Sequence, residues 1–450
     1  MGLSRIFDIS RRSLAVYQRS LDVTAHNISN ANNPDYTRQR TIVAPENPEI
    51  NAGFVWGSGI KITDIERVRD SLIDKQIINY NQKYSDSNRQ SEILSQVEQL
   101  FAEPGDQGMS NLISSFFNSF QELSVTPNSI PLRNSVINSA QNLSTKITEL
   151  NNDLDVVKTD LMADFKTKVD SLNELLQNIG ELNGRIFEQK SLGQSPNDLM
   201  DERDKAISDL SNLVNVTVSY TDKGSAVISL GGVFATDGSY TVKFDIGNIN
   251  GKLALVTADK NNTVALSGGE LNALAEVYNN KIPSYSESID TIANQIVESV
   301  NTIHSAGYDL LGSTGSKFFD GYQNGVLQIN QDILDDRRRI AISADGTSGN
   351  GDLAKQIGEL ADQKVLDGST FTEKYASLIN KVGTDKVSND NLTSSNKLVL
   401  DQLTAQRSSY SGVSVDEEMT DILKFQRAYD ASAKLIKVAD DMLQTLLNMV

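Results

Sequence analysis

The sequence predicts a mainly α protein with a small inserted β domain (α+β). Apolar residues recur with helical spacing at both ends of the chain and through most of its middle. Within residues 214–268 the spacing changes to alternation, which is typical of strands. The alternating residues are Val214, Val216, Val218, Tyr220 and, after a turn, Ala226, Ile228 and Leu230. Because helical spacing resumes afterwards, we expect the β segment to be an insertion.

Composition excludes several classes of function. The chain has 450 residues and no cysteine, which removes thiol catalysis, cysteine-ligated zinc and disulfides. Its formal net charge of −18 argues against a nucleic-acid partner, because phosphate binding needs a clustered basic face. No apolar run has the length of a membrane span, and the N-terminus lacks the pattern of a cleaved signal peptide. We therefore expect neither membrane insertion nor signal cleavage.

The first predicted element is a helix from about Ser4 to Ser29. Its apolar residues follow heptad spacing, which places them along one side of the helix. They are Leu3, Phe7, Leu14, Tyr17, Leu21 and Ile28. An Asn-rich run that leads into Pro34 should end the helix, since proline cannot donate a backbone hydrogen bond.

The last predicted element is a helix that starts at Ser414 and carries a wider apolar surface. Its candidate contact residues are Val415, Met419, Ile422, Tyr429, Ile436, Leu443, Leu447 and Val450. Residues 1–40 carry six arginines against three aspartates, whereas residues 411–450 carry four basic residues against seven acidic ones. This charge difference favours contact between the two ends. Ordinary core helices are the alternative, but such long apolar patterns at both termini indicate a paired coiled coil that forms an assembly interface.

The middle of the chain divides into two predicted domains. Residues 63–213 and 269–410 read as a helical, rod-like domain that contains an irregular stretch at 305–350. Residues 214–268 form the small outer β domain. With 1–62 plus 411–450 as the terminal assembly domain, the predicted layout is nested, so the first and last thirds of the chain should pack together.

Residues that could carry chemistry are few. The two histidines, His26 and His304, lie within or near the end of predicted helices, where packing or hydrogen bonding is the expected role. Four carboxylates could suggest a metal or paired-carboxylate site, namely Asp198, Asp201, Glu202 and Asp204. Arg203 and Lys205 lie among them, which favours a solvated, salt-bridged helix face. We predict no catalytic residue, no metal and no cofactor, and hence no enzyme.

Both ends of the chain also carry a family resemblance. The segment His26-Asn27-Ile28-Ser29-Asn30, followed by Pro34-Asp35-Tyr36, resembles the N-terminal signature of the flagellar rod, hook and hook-associated axial proteins. The run Phe425-Gln426-Arg427-Ala428-Tyr429 is similar to their C-terminal signature. Three segments resemble the hook-associated protein 1 branch: 36–40, 197–211 and 411–418. Asp35 stands where the family usually has glycine.

The resemblance implies a structural subunit of the bacterial flagellum that joins hook to filament by polymerising through its terminal helices. It implies export of the unfolded chain by the flagellar type III apparatus, and an extracellular location at the hook–filament junction. The implied partners are the hook protein, the second hook–filament junction protein, copies of the chain in a ring, and a cytoplasmic export chaperone on the C-terminal helix. A hook or rod protein and a free helical adaptor are the alternatives. The long helical segment before residue 213 argues against a hook or rod protein.

Overall fold

The computed structural model describes residues 2–51, 53–102 and 105–448, and it confirms a mainly α fold with small β parts. The helices are α1 Gly2–Ser29, α2 Ser71–Leu100, α3 Met109–Val125, α4 Ile130–Ser191, α5 Asn197–Leu213, α6 Glu270–Glu276, α7 Ile282–His304, α8 Gln331–Asp335, α9 Asp352–Glu359, α10 Phe371–Ser411 and α11 Val415–Leu447. A π-helical turn, Val277–Lys281, joins α6 to α7.

The strands form small antiparallel sheets. They are β1 Gln39–Pro45, β2 Glu49–Asn51, β3 Phe54–Trp56, β4 Ile60–Arg67, β5 Val216–Tyr220, β6 Ala226–Leu230, β7 Val233–Asp237, β8 Tyr240–Thr241, β9 Phe244–Ile249, β10 Lys252–Thr257, β11 Phe319–Gln323 and β12 Val326–Ile329. Strands β5 to β8 make a four-stranded meander, while β1 pairs with β4, β2 with β3, β9 with β10 and β11 with β12.

Helix α4 is the central support of the molecule. Its 62 residues span about 93 Å at 1.5 Å per residue. The helix starts cleanly because the Ser129 side chain accepts a hydrogen bond from the Leu132 amide at 3.4 Å. Buried residues then recur every three or four positions, which directs one long stripe inward. Helices α3, α5, α6 and α7 pack against α4.

Helices α2 and α10 pack side by side in opposite directions. Arg407, near the end of α10, lies 3.5 Å from Asp74 at the start of α2. Farther along the pair, Lys386 lies 4.0 Å from Glu98. Because α2 and α10 belong to the first and last thirds of the chain, this contact confirms that the two thirds pack together.

The irregular segment after α7 contributes to the core near the junction of α3 and α4. Phe318 and Phe319 are fully buried, with ring centroids 4.8 Å apart. Phe116 of α3 lies 5.7 Å from Phe319, and Phe117 stacks on Phe371 at 5.2 Å. His304 is buried beside Phe318, donating from Nδ1 to the Ser316 carbonyl at 2.9 Å and accepting at Nε2 from the Ala341 amide at 2.9 Å.

The predicted β insertion is present and is held on α4 by two asparagines. Asn183 accepts a hydrogen bond from the Ala226 amide and donates to the Ala226 carbonyl, both at 2.8 Å. Asn173 makes the same pair of bonds to the backbone of Phe244, at 2.8 and 2.9 Å. Each asparagine satisfies one backbone amide and one backbone carbonyl at the start of a strand. Polar contacts as well as apolar burial therefore orient the small sheets on α4.

One part of the helical prediction is wrong. Residues 63–67 belong to strand β4, and α2 begins only at Ser71. Asp70 sets that start, since its carboxylate accepts from the Leu72 amide at 2.8 Å. Before it, β1 and β4 form a ribbon that carries the β2–β3 hairpin at its far end. This ribbon connects α1 to the helical body, the name used below for α2 to α7 with α9 and α10.

Candidate assembly interface

The terminal helices α1 and α11 pack along each other, as predicted. They run in opposite directions, because the end of α1 meets the beginning of α11 through Asn27 and Glu418. All six residues of the predicted N-terminal stripe are half-buried: Leu3, Phe7, Leu14, Tyr17, Leu21 and Ile28. A stripe of this kind contacts its partner helix but is not fully covered by it.

The predicted stripe of α11 is less covered. Ile422, Tyr429 and Ile436 are half-buried. The exposed fraction is 46% for Val415, 51% for Met419, 37% for Leu443 and 75% for Leu447. Val450 lies outside the described residues. The helix therefore buries the middle of its heptad stripe and leaves both ends open.

A second apolar face of α11 also remains open. Leu435, Val438 and Met442 follow helical spacing on one side, and each is about half exposed, at 52%, 49% and 51%. About half of the surface of each of these side chains therefore stays in contact with water, and the fold does not gain the stability that its burial would give. An exposed apolar stripe on an otherwise charged helix indicates a contact with another molecule.

A buried group of polar residues joins the two helices at the top of the pair. We call it the polar clasp; its members are Asn27, Tyr36, Arg38, Gln39 and Glu418. The Asn27 amide donates to the Glu418 carboxylate at 2.9 Å and to the Gln39 carbonyl at 2.8 Å. Asn27 also accepts from the Tyr36 hydroxyl at 2.8 Å and from the Gln39 amide at 3.0 Å. One buried side chain thereby satisfies four groups from two segments, residues 36–39 and the start of α11.

Arg38 connects the clasp to the start of α11. Its Nε donates to Glu418 at 2.6 Å and its Nη1 to Glu417 at 2.9 Å. The Glu418 side chain is only 2% exposed, whereas that of Glu417 is 64% exposed. Because a buried carboxylate needs a partner, Glu418 ties α11 to residues 36–39. Among the described residues, the expected attraction between the charged ends is realised through Arg38.

His26 and Tyr36 close the clasp on the side of α5. The Tyr36 hydroxyl lies 3.1 Å from His26 Nδ1, so His26 is a hydrogen-bonded helix residue, as predicted. Burial raises the pKa of Tyr36 above its usual value, and the nearby carboxylates Asp198, Asp201 and Glu418 raise it further. The phenol therefore stays protonated and keeps its role as a donor to Asn27.

The predicted solvated face of α5 is instead partly buried, which corrects the sequence interpretation. Asp201 is 8% exposed and its carboxylate binds Arg67 of β4 at 2.7 Å. Its other oxygen accepts from the Thr37 amide at 3.0 Å. Burial raises the pKa of Asp201, and Arg67 and the Thr37 amide oppose that shift. This face of α5 is buried because the charge partner of Asp201, Arg67, lies on the ribbon rather than on the same helix.

From Asp201 a chain of alternating charges crosses the base of the helical body. We call it the ion chain; in order, its members are Asp201, Arg67, Asp204, Arg69, Asp74 and Arg407. Successive members lie 2.7, 2.8, 3.0, 2.8 and 3.5 Å apart. Although burial opposes ionisation, Arg67, Arg69 and Arg203 together lower the pKa of Asp204. The chain links α5, β4, α2 and α10, so the four elements that meet under the terminal helices share one network.

Arg203 is the most deeply buried charge of α5. Its Nη1 donates to the Gly224 carbonyl at 2.5 Å and to Asn183 at 3.2 Å, and its guanidinium lies 5.1 Å from the Tyr220 ring. Burial lowers the pKa of Arg203, and Asp204 counters this effect. The residue connects the ion chain to the β insertion.

The other candidates for chemistry carry structural contacts. Within the part of the chain that the structure describes, no group of histidine and carboxylate side chains is arranged to hold a metal ion. Asp198 accepts from Gln39 at 2.9 Å, while Glu202 is exposed. Residues 337–339 form a short 3₁₀ turn in which Arg337 and Arg338 are exposed. Across the same described residues, no helix is long and apolar enough to cross a membrane.

Comparison with known proteins decides the family. The family model described as the helical domain of the flagellar hook-associated protein FlgK matches residues 94–319, half of the chain. This chain belongs to the flagellar hook-associated protein FlgK family. A second family model, for the C-terminal part of the flagellar basal body rod FlgEFG proteins, matches residues 404–449. Members of the FlgK family are structural components of the bacterial flagellum, and the chain is such a component.

The FlgK likeness extends over the whole chain. Flagellar hook-associated protein 1 of Bacillus subtilis is 28% identical over 100% of this chain and 98% of its own length. The Escherichia coli protein of the same name is 22% identical over 99% of this chain and 100% of its own. The solved structure of the flagellar hook junction protein FlgK from Burkholderia pseudomallei superposes with a TM-score of 0.65 at 14% identity, covering 75% of this chain and 100% of that one. That last match shows a shared fold.

Sequence reasoning missed the polar clasp, the ion chain and the ribbon that holds them. A signal for the ribbon was available, because Ile60, Ile62 and Lys61 show the alternation of a strand just before Arg67. The clasp had a weaker signal in the Asn-rich turn after α1. Long-range pairing between Asn27 and Glu418, 391 residues apart, has no local pattern that would reveal it.

Proposed function

We propose that this FlgK-family chain is the subunit that joins hook to filament, and that it polymerises through the stripes of α1 and α11. The observation that carries the proposal is that α11 is anchored at its start but exposes apolar side chains along its length. Glu418 anchors this helix in the clasp, yet Leu435, Val438, Met442 and Leu447 remain exposed. A helix that is held in place but keeps apolar side chains in water is suited to bind further subunits.

The names of the relatives support the junction role. Full-length relatives are called flagellar hook-associated protein 1, and the solved structure is titled as a hook junction protein. We infer that the terminal domain comprises residues 1–62 and 411–450, and the outer β domain residues 214–268. The domain between them, 63–213 and 269–410, is helical apart from the small β parts that it contains, among them the end of β4 at residues 63–67. In this arrangement the terminal helices contact the hook protein and other copies in a ring. The second junction protein binds on the side of the subunit that faces away from the hook.

Export follows from the same proposal. The chain leaves the cell unfolded through the flagellar type III apparatus and folds outside at the tip of the hook. A cytoplasmic chaperone covers α11 before export, because its exposed apolar residues would otherwise aggregate. The absence of cysteine is compatible with this route, because this chain then exposes no thiol to oxidation while it is unfolded.

The experiment is to delete the gene and examine the cells by electron microscopy. Complete hooks without filaments, with flagellin released into the medium, are the expected result. Attached filaments would reject the junction role and favour a free adaptor. Missing hooks would favour a hook or rod protein.

A further inference from the structure

Methionine supplies all the sulfur in this chain, which has seven methionines and no cysteine. Thiolates are the sulfur groups that oxidants usually attack first, so their absence leaves the thioethers as the sulfur targets. Which thioether reacts then depends on whether the oxidant can reach the sulfur. Met1 and Met449 lie outside the described residues, and the comparison is therefore among Met109, Met162, Met200, Met419 and Met442.

Exposure divides these side chains into buried and accessible ones. Met109 belongs to the core and is 2% exposed, whereas Met162, Met419 and Met442 are 48%, 51% and 51% exposed. Met200 is half-buried. Two of the three exposed thioethers therefore lie on α11, while the third lies on α4, outside the terminal helices.

Both exposed methionines of α11 lie among other exposed apolar side chains. Met419 is one helical turn from Val415 and one turn from Leu423, which are 46% and 54% exposed. Met442 belongs to the second apolar face of α11 described above. An oxidant that reaches these sulfurs therefore changes the polarity of the surfaces that α11 offers for assembly.

We propose that Met419 and Met442 are oxidation sites at which a peroxide converts the unassembled chain into a form that no longer assembles. A lone pair of the thioether sulfur forms a bond to one peroxide oxygen, and the O–O bond breaks. The sulfur loses two electrons and becomes a sulfoxide, while the second oxygen leaves with the protons of hydrogen peroxide as water. This inference rests on the proposed function and adds to it a chemical modification that controls assembly.

A sulfoxide at these two positions affects assembly more than folding. Its oxygen is polar and accepts hydrogen bonds from water, so burying it in an apolar contact carries a desolvation cost. In the free chain about half of each side chain already lies in water, where the new oxygen stays hydrated. The order of events therefore matters. Oxidation before assembly blocks binding, whereas neighbouring subunits shield the same sulfurs once the chain is bound.

The test compares the purified full-length chain before and after treatment with hydrogen peroxide, and peptide mass spectrometry follows each methionine. We expect Met162, Met419 and Met442 to be oxidised at similar rates, and Met109 severalfold more slowly. Treated and untreated chains are then added to hooks isolated from cells that lack the gene, and the amount of bound chain is measured. We expect oxidation to reduce binding severalfold.

Two variants attribute the loss of binding to α11. The double variant Met419→Leu/Met442→Leu keeps side chains of similar volume, so it should bind equally well with and without peroxide. Met162→Leu is the matched control, and it should lose binding on oxidation as the native chain does. When peroxide is applied to chains already bound to hooks, Met419 and Met442 should be oxidised severalfold more slowly than in the free chain.

Three outcomes would overturn the proposal. They are oxidised native chain that binds as well as untreated chain, an oxidised double variant that loses binding, and unchanged oxidation rates of Met419 and Met442 on hooks. Untreated chain that does not bind hooks would count against the proposed function instead, so the two failures are distinguishable.

Discussion

At the scale of single residues, buried polar groups determine how the terminal helices are attached. Asn27 and Glu418 are buried at 1% and 2% exposure, and each satisfies groups from distant parts of the chain. Apolar stripes alone would let α1 and α11 slide along each other, because one heptad contact resembles the next. A single hydrogen-bonded polar pair removes that freedom, since a shifted register would leave a buried charge without its partner.

The clasp therefore predicts a difference between two neighbouring glutamates. Glu418→Ala should destabilise the docking of α11 by about 3 kcal/mol, because Arg38 and Asn27 would lose a buried partner. The matched control is Glu417→Ala, whose exposed pair with Arg38 should be worth less than about 1 kcal/mol. Hydrogen exchange of α11 amides in the full chain measures both. Equal exchange in the two variants would contradict the role of the clasp.

His304 predicts an acid-sensitive contribution to stability. Burial, together with the nearby Arg133, lowers the pKa of His304 from 6.5 to about 4. Protonation would also remove the hydrogen bond that Nε2 accepts from the Ala341 amide. The neutral ring therefore stabilises the fold fully above pH 6.5, and this contribution falls as the pH drops towards 4. A shift of that size corresponds to about 3 kcal/mol. In urea unfolding, His304→Gln should lose less stability than the native chain between pH 7 and pH 4. Parallel losses in both proteins would contradict this assignment.

At the scale of elements, close backbone approach at the joint between the β insertion and α6 needs glycine. Gly269 has φ of +79°, and a Cβ there would lie 2.4 Å from the Val214 nitrogen. Gly269→Ala should cost about 3 kcal/mol, from backbone strain together with the clash. Gly251→Ala is the control, since Gly251 has φ of +80° with no neighbouring atom within 4 Å, and should cost about 1 kcal/mol. Thermal unfolding measures the difference, and equal costs would refute the claim of close approach.

Elements with a local periodic pattern were predictable, and those without one were not. The helices α1, α4, α7 and α11 and the strands of the insertion follow spacings that are visible in the sequence. The charged face of α5 shows the limit. Its carboxylates alternate with basic residues as on a solvated helix, but Asp201 and Asp204 pair with Arg67 at the end of β4 and with Arg69 just after it. A solvated face and a buried face would show the same sequence pattern here. Only the packing of the ribbon against α5 decides which of them forms.

At the scale of the whole molecule, the clasp and the ion chain bring the end of α1, the start of α11, strand β4 and helices α2, α5 and α10 into one region. The Arg38 amide donates to the Ser411 carbonyl at 3.0 Å, so the ribbon also holds the end of α10 just before α11 begins. These contacts fix the direction of the α1–α11 pair relative to the helical body. A different direction of the pair would leave the buried Glu418 carboxylate without its partners.

The measurement that tests the account most directly asks whether the α11 stripe builds the junction. Ile436 is half-buried in that stripe, and Ile436→Asp would place a charge among apolar contacts. The variant is introduced into cells lacking the native gene, with Ile436→Leu as control, and the cells are examined by electron microscopy while the medium is assayed for the exported chain. We predict an exported chain with a folded helical domain, bare hooks for Ile436→Asp and attached filaments for Ile436→Leu. Full filaments on Ile436→Asp cells would contradict the assembly role of the terminal helices.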